Sequence, residues 1–283
     1  MKGLLFALLL LAGSVEAQPY LDVAQVMYQN SPGGDPKKFQ HLRAQLNLPY
    51  VFKDSSIFVF NPIWEERWLQ ISEVDRPYHL RGFITWFTYS KRIGQKWETM
   101  LAFIPRWNGE TSIQFKEGFQ AGAAILGTYK QRPGLSYKFG LYYNKEFYGN
   151  LFVPLLGLDW KINSRQRLFG ILPGYFTYEN RVTRKISWGG NFRTFTNSYK
   201  ILSDNNSGDP TSFIRIDDNQ LGSYLDYYVT PKLVVNVELG YSIMRKVRSG
   251  VNSKDDMVYL SRHDGFYIRA VFQYRLRFDK SPF

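Results

Sequence analysis

The sequence predicts an all-β fold, a transmembrane antiparallel up-and-down β-barrel of about 14 strands, with about 12 strands as the alternative. Three observations predict it. Extended segments of about ten residues alternate apolar and polar side chains, as a tilted strand crossing a bilayer does. Tight turns alternate with longer connections along the chain. The last segment has one wholly apolar face and one basic face.

That last segment runs from Gly265 to Phe278 and sets the pattern for the rest. Successive side chains of a strand point to opposite faces. One face is apolar and aromatic, with Phe266, Ile268, Ala270, Phe272, Tyr274, Leu276 and Phe278. The other face carries Arg269, Arg275 and Arg277. A membrane barrel places the first face on lipid and the second in a wet lumen.

The first 17 residues have the pattern of a secretory leader. Lys2 precedes an apolar run from Leu4 to Ala12, and Val15 to Ala17 form a small-x-small cleavage site. The run is about half as long as a membrane-spanning helix requires. We therefore predict cleavage near Ala17, export, and one barrel domain over residues 18–283.

Composition excludes several classes of site. The chain has no cysteine, so disulfides and thiolate metal sites are impossible. The net charge is +12, but the cations fall at alternate strand positions rather than in runs, which argues against a nucleic-acid patch. Aromatic residues make up 17% of the chain, and Tyr and Trp are typical of membrane interfaces.

In the first half of the chain, Leu21–Asn30 is a weak predicted strand and Gln29–Lys38 a loop. Further strands are predicted over Phe39–Val51, from Ile57, over Tyr78–Lys91 with a bulge, and over Lys96–Asn108. The charged segment Pro62–Arg76 is interpreted as a long connection outside the strands.

In the second half, the predicted strands are Gly118–Lys130, Leu135–Phe147, Phe152–Ile162, Ile186–Lys200, Asn219–Val229, Leu233–Lys246 and Gly265–Phe278. Arg167–Val182 holds two short strands if it breaks at Pro173–Gly174, because proline cannot donate within a central ladder. The break keeps the tight turns near Asp54, Gly94, Pro133, Ser164, Thr183 and Pro231 on one side. Long polar loops are predicted over Ser203–Ile216 and Arg248–Asp264.

A soluble β-sandwich is the competing architecture, with the apolar faces turned inward. Sandwiches mix Greek-key connections, whereas this chain alternates short turns and long loops. Ordinary strands have about five or six residues, and these are longer. Apolar faces also carry Trp97, Trp107 and Trp160 toward the strand ends. These points favour the barrel.

The chain resembles bacterial outer-membrane β-barrel proteins, particularly uncharacterised ones of the Bacteroidota type. The leader, the hairpin series, the LPGYFTYENRV stretch at Leu172–Val182 and the last strand carry this resemblance. It implies an outer-membrane location and membrane lipid as a partner. It also implies that Tyr274, Leu276 and Phe278 form the signal by which the barrel-assembly machinery recognises its clients. The chain departs from the family pattern in the five residues that follow Phe278, so Phe283 is the alternative terminal aromatic residue.

The predicted lumen is net basic. Its candidate lining residues are Arg43, Lys96, Arg106, Lys138, Arg193, Arg269, Arg275 and Arg277. One hypothesis is a wall braced by ion pairs. The other is a narrow aqueous path that prefers small anionic solutes, as rings of Arg and Lys do.

No motif predicts a catalytic residue, a cofactor or a metal site. His263 beside Asp264 is the weak basis for a hydrolase, because no G-x-S-x-G elbow accompanies it. We therefore predict no enzyme, but a passive porin-like channel or a structural membrane protein. The alternative is a surface-binding module that uses the loops at Pro62–Arg76, Ser203–Ile216 and Arg248–Asp264.

Overall fold

The computed structural model describes residues 20–72, 74, 76–202, 212–251 and 257–278. The predicted leader, Phe283, and parts of the loops at Ser203–Ile216 and Arg248–Asp264 lie outside these residues. No helix in the described ranges is long and apolar enough to cross a membrane.

Sixteen strands and one four-residue helix make up the described chain. The strands are β1 Tyr20–Pro32, β2 Lys38–Leu46, β3 Leu48–Val51, β4 Ile57–Gln70, β5 Tyr78–Ile93, β6 Trp97–Glu110, β7 Phe119–Arg132, β8 Leu135–Glu146, β9 Gly149–Lys161, β10 Gln166–Leu172, β11 Tyr175–Arg181, β12 Ile186–Ile201, β13 Ser212–Tyr228, β14 Leu233–Gly250, β15 Val258–Ser261 and β16 Gly265–Arg277. Helix α1, Phe115–Gly118, precedes β7.

The sheet closes on itself because β1 pairs with β16 and β16 pairs with β14. β2 and β3 keep one register against β4 and together form one continuous strand of the barrel wall, here termed a stave. β15 and β16 follow one another along β14 and likewise form one stave. The sixteen strands therefore make fourteen antiparallel staves, which confirms the predicted barrel.

Pro62 explains the break between β2 and β3. Proline has no N–H to donate to the ladder. The carbonyl of Leu46, in the interrupted stretch of ladder, instead accepts a hydrogen bond from the side-chain amide of Asn61. The neighbouring side-chain donor thus satisfies a backbone acceptor that the proline leaves without its ladder bond.

The two ends of the barrel differ. The connections β3–β4, β5–β6, β7–β8, β9–β10, β11–β12 and β13–β14 are short, and their side is here termed the turn end. The other side is the loop end; it holds the longest connections, residues 71–77, 111–118 and 202–211, together with two of only two residues, 147–148 and 173–174. The predicted break at Pro173–Gly174 is confirmed, and it leaves β10 and β11 only seven residues long.

Several sequence interpretations are wrong. The predicted loops Ser203–Ile216 and Arg248–Asp264 are partly strand, since β13 begins at Ser212, β14 extends to Gly250 and β15 lies between β14 and β16. Pro62–Arg76 is not a long connection, since β4 continues to Gln70 and its charged residues Glu65 and Arg67 are buried. Tyr78–Lys91 has no bulge, because its register against β4 and β6 does not shift. Its alternation is poor for another reason: buried side chains such as Leu80 and Ile84 are apolar as well.

β12 separates from β11 toward the loop end, while it stays paired with β13 as far as Ile201. Its pairing with β11 ends at Arg193, opposite Tyr175. Seven residues later, Lys200 forms a parallel bridge with Gly109 of β6. The upper part of β12 therefore bypasses β7 to β11, and the barrel narrows at the loop end.

The outer face of the barrel is apolar. Leu156, Leu239 and Phe266 expose 64%, 63% and 72% of their surface. Leu239 and Phe266 alternate with the buried polar side chains Glu238 and Tyr267, as hydrocarbon outside and a polar interior require.

Candidate functional site in the barrel interior

An apolar cluster fills the interior at the loop end, and we term it the loop-end plug. It consists of ten buried residues, Phe39, Leu69, Ile71, Tyr78, Leu80, Tyr199, Ile201, Ile214, Ile216 and Val247. They come from the loop-side parts of β2, β4, β5, β12, β13 and β14, together with Ile71 just beyond β4. Close packing of this kind excludes water.

Beneath the plug, Glu65 of β4 joins three elements. Tyr199 Oη on β12 donates to Glu65 Oε1 at 2.6 Å, and Arg67 Nε donates to Tyr199 Oη at 2.9 Å. His41 Nε2 on β2 lies 3.2 Å from Glu65 Oε2. The buried carboxylate is thereby surrounded by hydrogen-bonding groups, as a buried charge requires.

The opposite side of β12 is fixed to the wall through Ser198. Its backbone N–H donates to Glu146 Oε2 of β8 at 3.2 Å, and Gln120 Nε2 of β7 donates to Ser198 Oγ at 3.0 Å. Arg106 of β6 lies 3.7 Å from the same carboxylate. The inward part of β12 is therefore held from both sides.

Two further networks line the turn-side half. Glu238 of β14 accepts hydrogen bonds from Arg193, from Tyr267 Oη at 2.6 Å and from Asn191 Nδ2 at 2.7 Å. Nearer the turn end, Arg275 Nε donates to Asp22 Oδ1 and Arg275 Nη1 to Asp226 Oδ2, both at 2.6 Å.

The candidate lining residues predicted from sequence are placed as follows. Arg106, Lys138 and Arg275 are buried, and Arg43, Arg193, Arg269 and Arg277 are partly buried. Lys138 pairs with Asp159 at 2.6 Å, and Arg277 with Glu179 at 2.6 Å. Lys96 differs: it is exposed in the turn between β5 and β6, because β6 begins one residue later. It does not line the lumen.

Tyr274 and Leu276 lie on the outward face of β16, and Phe278 follows its last residue. Their predicted role in assembly stays a prediction.

A cavity of about 400 Å³ remains in the turn-side half, between the Glu238 and Arg275 networks. Six amide side chains line it, Gln25, Gln45, Asn47, Asn191, Asn236 and Gln273. Six charged side chains line it as well, Asp22, Arg193, Asp226, Glu238, Arg269 and Arg275. Aromatic rings of Tyr20, Phe169, Tyr175 and Tyr224 also contribute. Ligand pockets commonly have volumes of about 300–1,000 Å³.

Sequence reasoning missed Glu65, Tyr199 and Gln273. Glu65 lay in a segment interpreted as a connection, although Ile63, Glu65, Arg67 and Leu69 share one strand face. Tyr199 lies on a strand predicted to stay in the wall, and no local pattern shows that a strand turns inward.

The structure does not place the two residues of the hydrolase hypothesis, His263 and Asp264, in the barrel interior. His263 is exposed beyond the barrel wall, and Asp264 Oδ1 accepts the backbone N–H of Arg245 at 3.0 Å. Among the described residues, no group of three His, Asp or Glu side chains could hold a metal ion.

A closed fourteen-stave barrel with an apolar outer face and a charged interior defines the class: a transmembrane β-barrel of the outer-membrane type. The chain belongs to the family described as a domain of unknown function, DUF6268, whose model matches residues 82–277. None of the curated proteins matches it.

Solved structures with a similar fold are membrane barrels. The NanC porin is 8% identical, with 89% of this chain and 100% of that chain covered and a TM-score of 0.42. An outer membrane protein of Acinetobacter baumannii is 11% identical, with coverages of 91% and 100% and a TM-score of 0.43. A mutant of the TodX monoaromatic hydrocarbon channel is 10% identical, with coverages of 90% and 88% and a TM-score of 0.45. Likenesses at this level say nothing about the role of this chain.

Proposed function

We propose that this protein is an exported outer-membrane channel for small solutes, closed at its loop end in the conformation described. The single observation that carries the proposal is that the loop-end plug closes the same interior that holds a polar cavity of about 400 Å³ in its turn-side half. A barrel that served only as a structural wall would have no use for such a cavity.

The orientation follows from the loop lengths. Outer-membrane barrels place short turns on the periplasmic side and longer loops outside. The cavity of this barrel then faces the periplasm and the plug faces the cell exterior. Apolar constrictions close channels because water leaves them, so the plug is a suitable gate.

Planar-bilayer recording tests the proposal. Wild-type protein should show little conductance, because the plug excludes water. The double variant Leu69→Ser and Ile216→Ser should conduct in discrete steps, since two hydroxyl groups let water enter the plug. Leu101→Ser and Leu239→Ser, on the lipid face, serve as the matched control and should stay closed.

Two outcomes would overturn the proposal. Large, permanent wild-type conductance would show that the plug is no gate. A correctly folded plug variant that stays silent would show that no path continues beneath it. In a conducting variant, Arg269→Glu should lower the preference for anions, as the net-basic lining implies.

We further propose that Tyr274, Leu276 and Phe278 direct assembly by the barrel-assembly machinery. Their outward position at the end of the last stave supports this role. Phe278→Asp should reduce the amount of folded barrel in the outer membrane, measured by heat-modifiable gel mobility. Unchanged amounts would count against it.

A further inference from the structure

Among the residues that the structure describes, no acidic side chain forms an ion pair with Arg269 of β16. It lines the cavity, yet it makes no ion pair within 4 Å and no hydrogen bond to any residue that the structure describes, and its Nε is buried without a partner. Glu238 attracts Arg269 electrostatically, but Glu238 already accepts hydrogen bonds from Arg193, Tyr267 and Asn191. Arg43 and Arg193 add repulsion.

The other charged side chains that line the cavity are paired. Arg193 pairs with Glu238, and Arg275 lies between Asp22 and Asp226. Arg43, which does not line the cavity, donates to Gln45 and has no acid within 4 Å among the described residues, so Arg269 finds no compensating acid in that direction. A buried, unpaired cation is costly, and an anion placed against it would relieve that cost.

Two amide side chains that line the same cavity as Arg269 also have unused hydrogen-bonding groups. Gln273 is 4% exposed, lines the cavity and makes no side-chain hydrogen bond to the described chain. Asn191 is 7% exposed, and its Nδ2 donates to Glu238 while its Oδ1 is buried without a partner. An acceptor such as Oδ1 requires a donor from the ligand, for example a hydroxyl group.

We propose that this cavity is a binding site for a small hydroxy-carboxylate, with the carboxylate on Arg269 and hydroxyl groups on Asn191 and Gln273. A planar guanidinium fork matches a carboxylate in two parallel hydrogen bonds. The acids Glu238, Asp22 and Asp226 on the same cavity would repel a ligand with more negative charge. The proposal goes beyond the channel function, because binding requires no opening of the plug.

Isothermal titration of the full barrel in detergent tests it. The probe is gluconate, with glucose at equal concentration as the neutral comparison and inorganic phosphate as the competing anion. Gluconate should saturate one site with a dissociation constant of about 1 mM or lower, a free energy of about −4 kcal/mol. Glucose and phosphate should bind at least about tenfold more weakly.

Variants locate the site. Arg269→Gln should weaken gluconate binding by about tenfold or more, and Arg269→Lys, which keeps the charge but loses the fork, by an intermediate factor. Arg132→Gln removes the same charge from an exposed position at the turn end and should leave binding unchanged. Heat-modifiable gel mobility checks that each barrel is folded.

Three results would overturn the proposal. They are absence of gluconate binding to the wild type at about 10 mM, equal binding of glucose, and wild-type affinity in a folded Arg269→Gln variant. If Arg269→Gln does not fold, Gln273→Leu replaces it, and unchanged gluconate affinity in that variant counts against the site. Since the titration uses the closed protein, its failure leaves the conductance test of the channel unaffected.

Discussion

Tyr199 and Glu65 are 134 residues apart in the chain, and the hydroxyl of the first donates to the carboxylate of the second at 2.6 Å. The contact joins β12 to β4 across the interior, beneath the loop-end plug. It fixes the part of β12 that has separated from β11, so a buried carboxylate helps to hold the loop end closed.

Tyr199→Phe should destabilise the barrel by about 1–3 kcal/mol, because Glu65 and Arg67 each lose a partner that water cannot replace. Urea unfolding in detergent micelles, followed by tryptophan fluorescence, measures the change. Tyr137→Phe is the matched control on the exposed outer face and should be nearly neutral. Equal effects of the two variants would contradict the buried network.

Leu80→Ala should cost about 2–5 kcal/mol, the usual range for a cavity in a packed core. Leu80 is fully buried in the plug, whereas Leu101 on the lipid face is half exposed. Leu101→Ala should cost clearly less, because lipid chains fill the space that the side chain leaves. The same unfolding measurement compares them, and a larger effect at Leu101 would mean that the plug is poorly packed.

Gly140→Ala should impair folding, because the added Cβ would clash with the carbonyl oxygen of Ile125 on the neighbouring strand. A backbone atom cannot move aside as a side chain can. Gly190→Ala is the control, since its nearest atom would be 3.6 Å away. Refolding yield into detergent, read from gel mobility, should fall only for Gly140→Ala, and equal yields would contradict the close approach.

Leu141→Arg should destabilise the barrel by about 2–4 kcal/mol, since it places a charge on the lipid face midway along β8. Tyr137→Arg changes a residue on the same face, four residues nearer the turn end. It should cost about 0–1 kcal/mol, because we expect that level to lie near the membrane interface. Unfolding from lipid vesicles measures both. Equal tolerance at the two positions would argue against a hydrocarbon layer there.

The turn before β4 should respond to acid. Hydrogen bonds from Ser56, together with Lys91 at 3.1 Å, lower the pKa of Asp54 to about 2. The folded pKa is below the unfolded value, so the contribution of Asp54 to stability is present above about pH 4 and is lost as the pH falls toward 2. Ser56→Ala should raise the pKa of Asp54, measured by carboxyl carbon NMR. An unchanged pKa would mean that Ser56 does not hold the carboxylate.

Local alternation predicted much of the wall correctly. In β6, Trp97, Leu101 and Phe103 are exposed and Ala102 and Ile104 are buried, as a period of two demands. Pro173–Gly174 marked a chain reversal because proline disrupts a ladder. The alternation failed where both faces of a strand were apolar, as in β5, or where charges occupied a strand, as in β4.

The sequence by itself determined the class of this protein, the strand count and the face that meets lipid, because strand periodicity, turn chemistry and composition are local properties. Only the tertiary structure decided that β12 turns inward, that Tyr199 meets Glu65, and that Arg269 lines a cavity without an acid of its own. Those contacts join residues far apart in the chain. Their geometry depends on how fourteen staves close around one interior, and no pattern within a single strand records it.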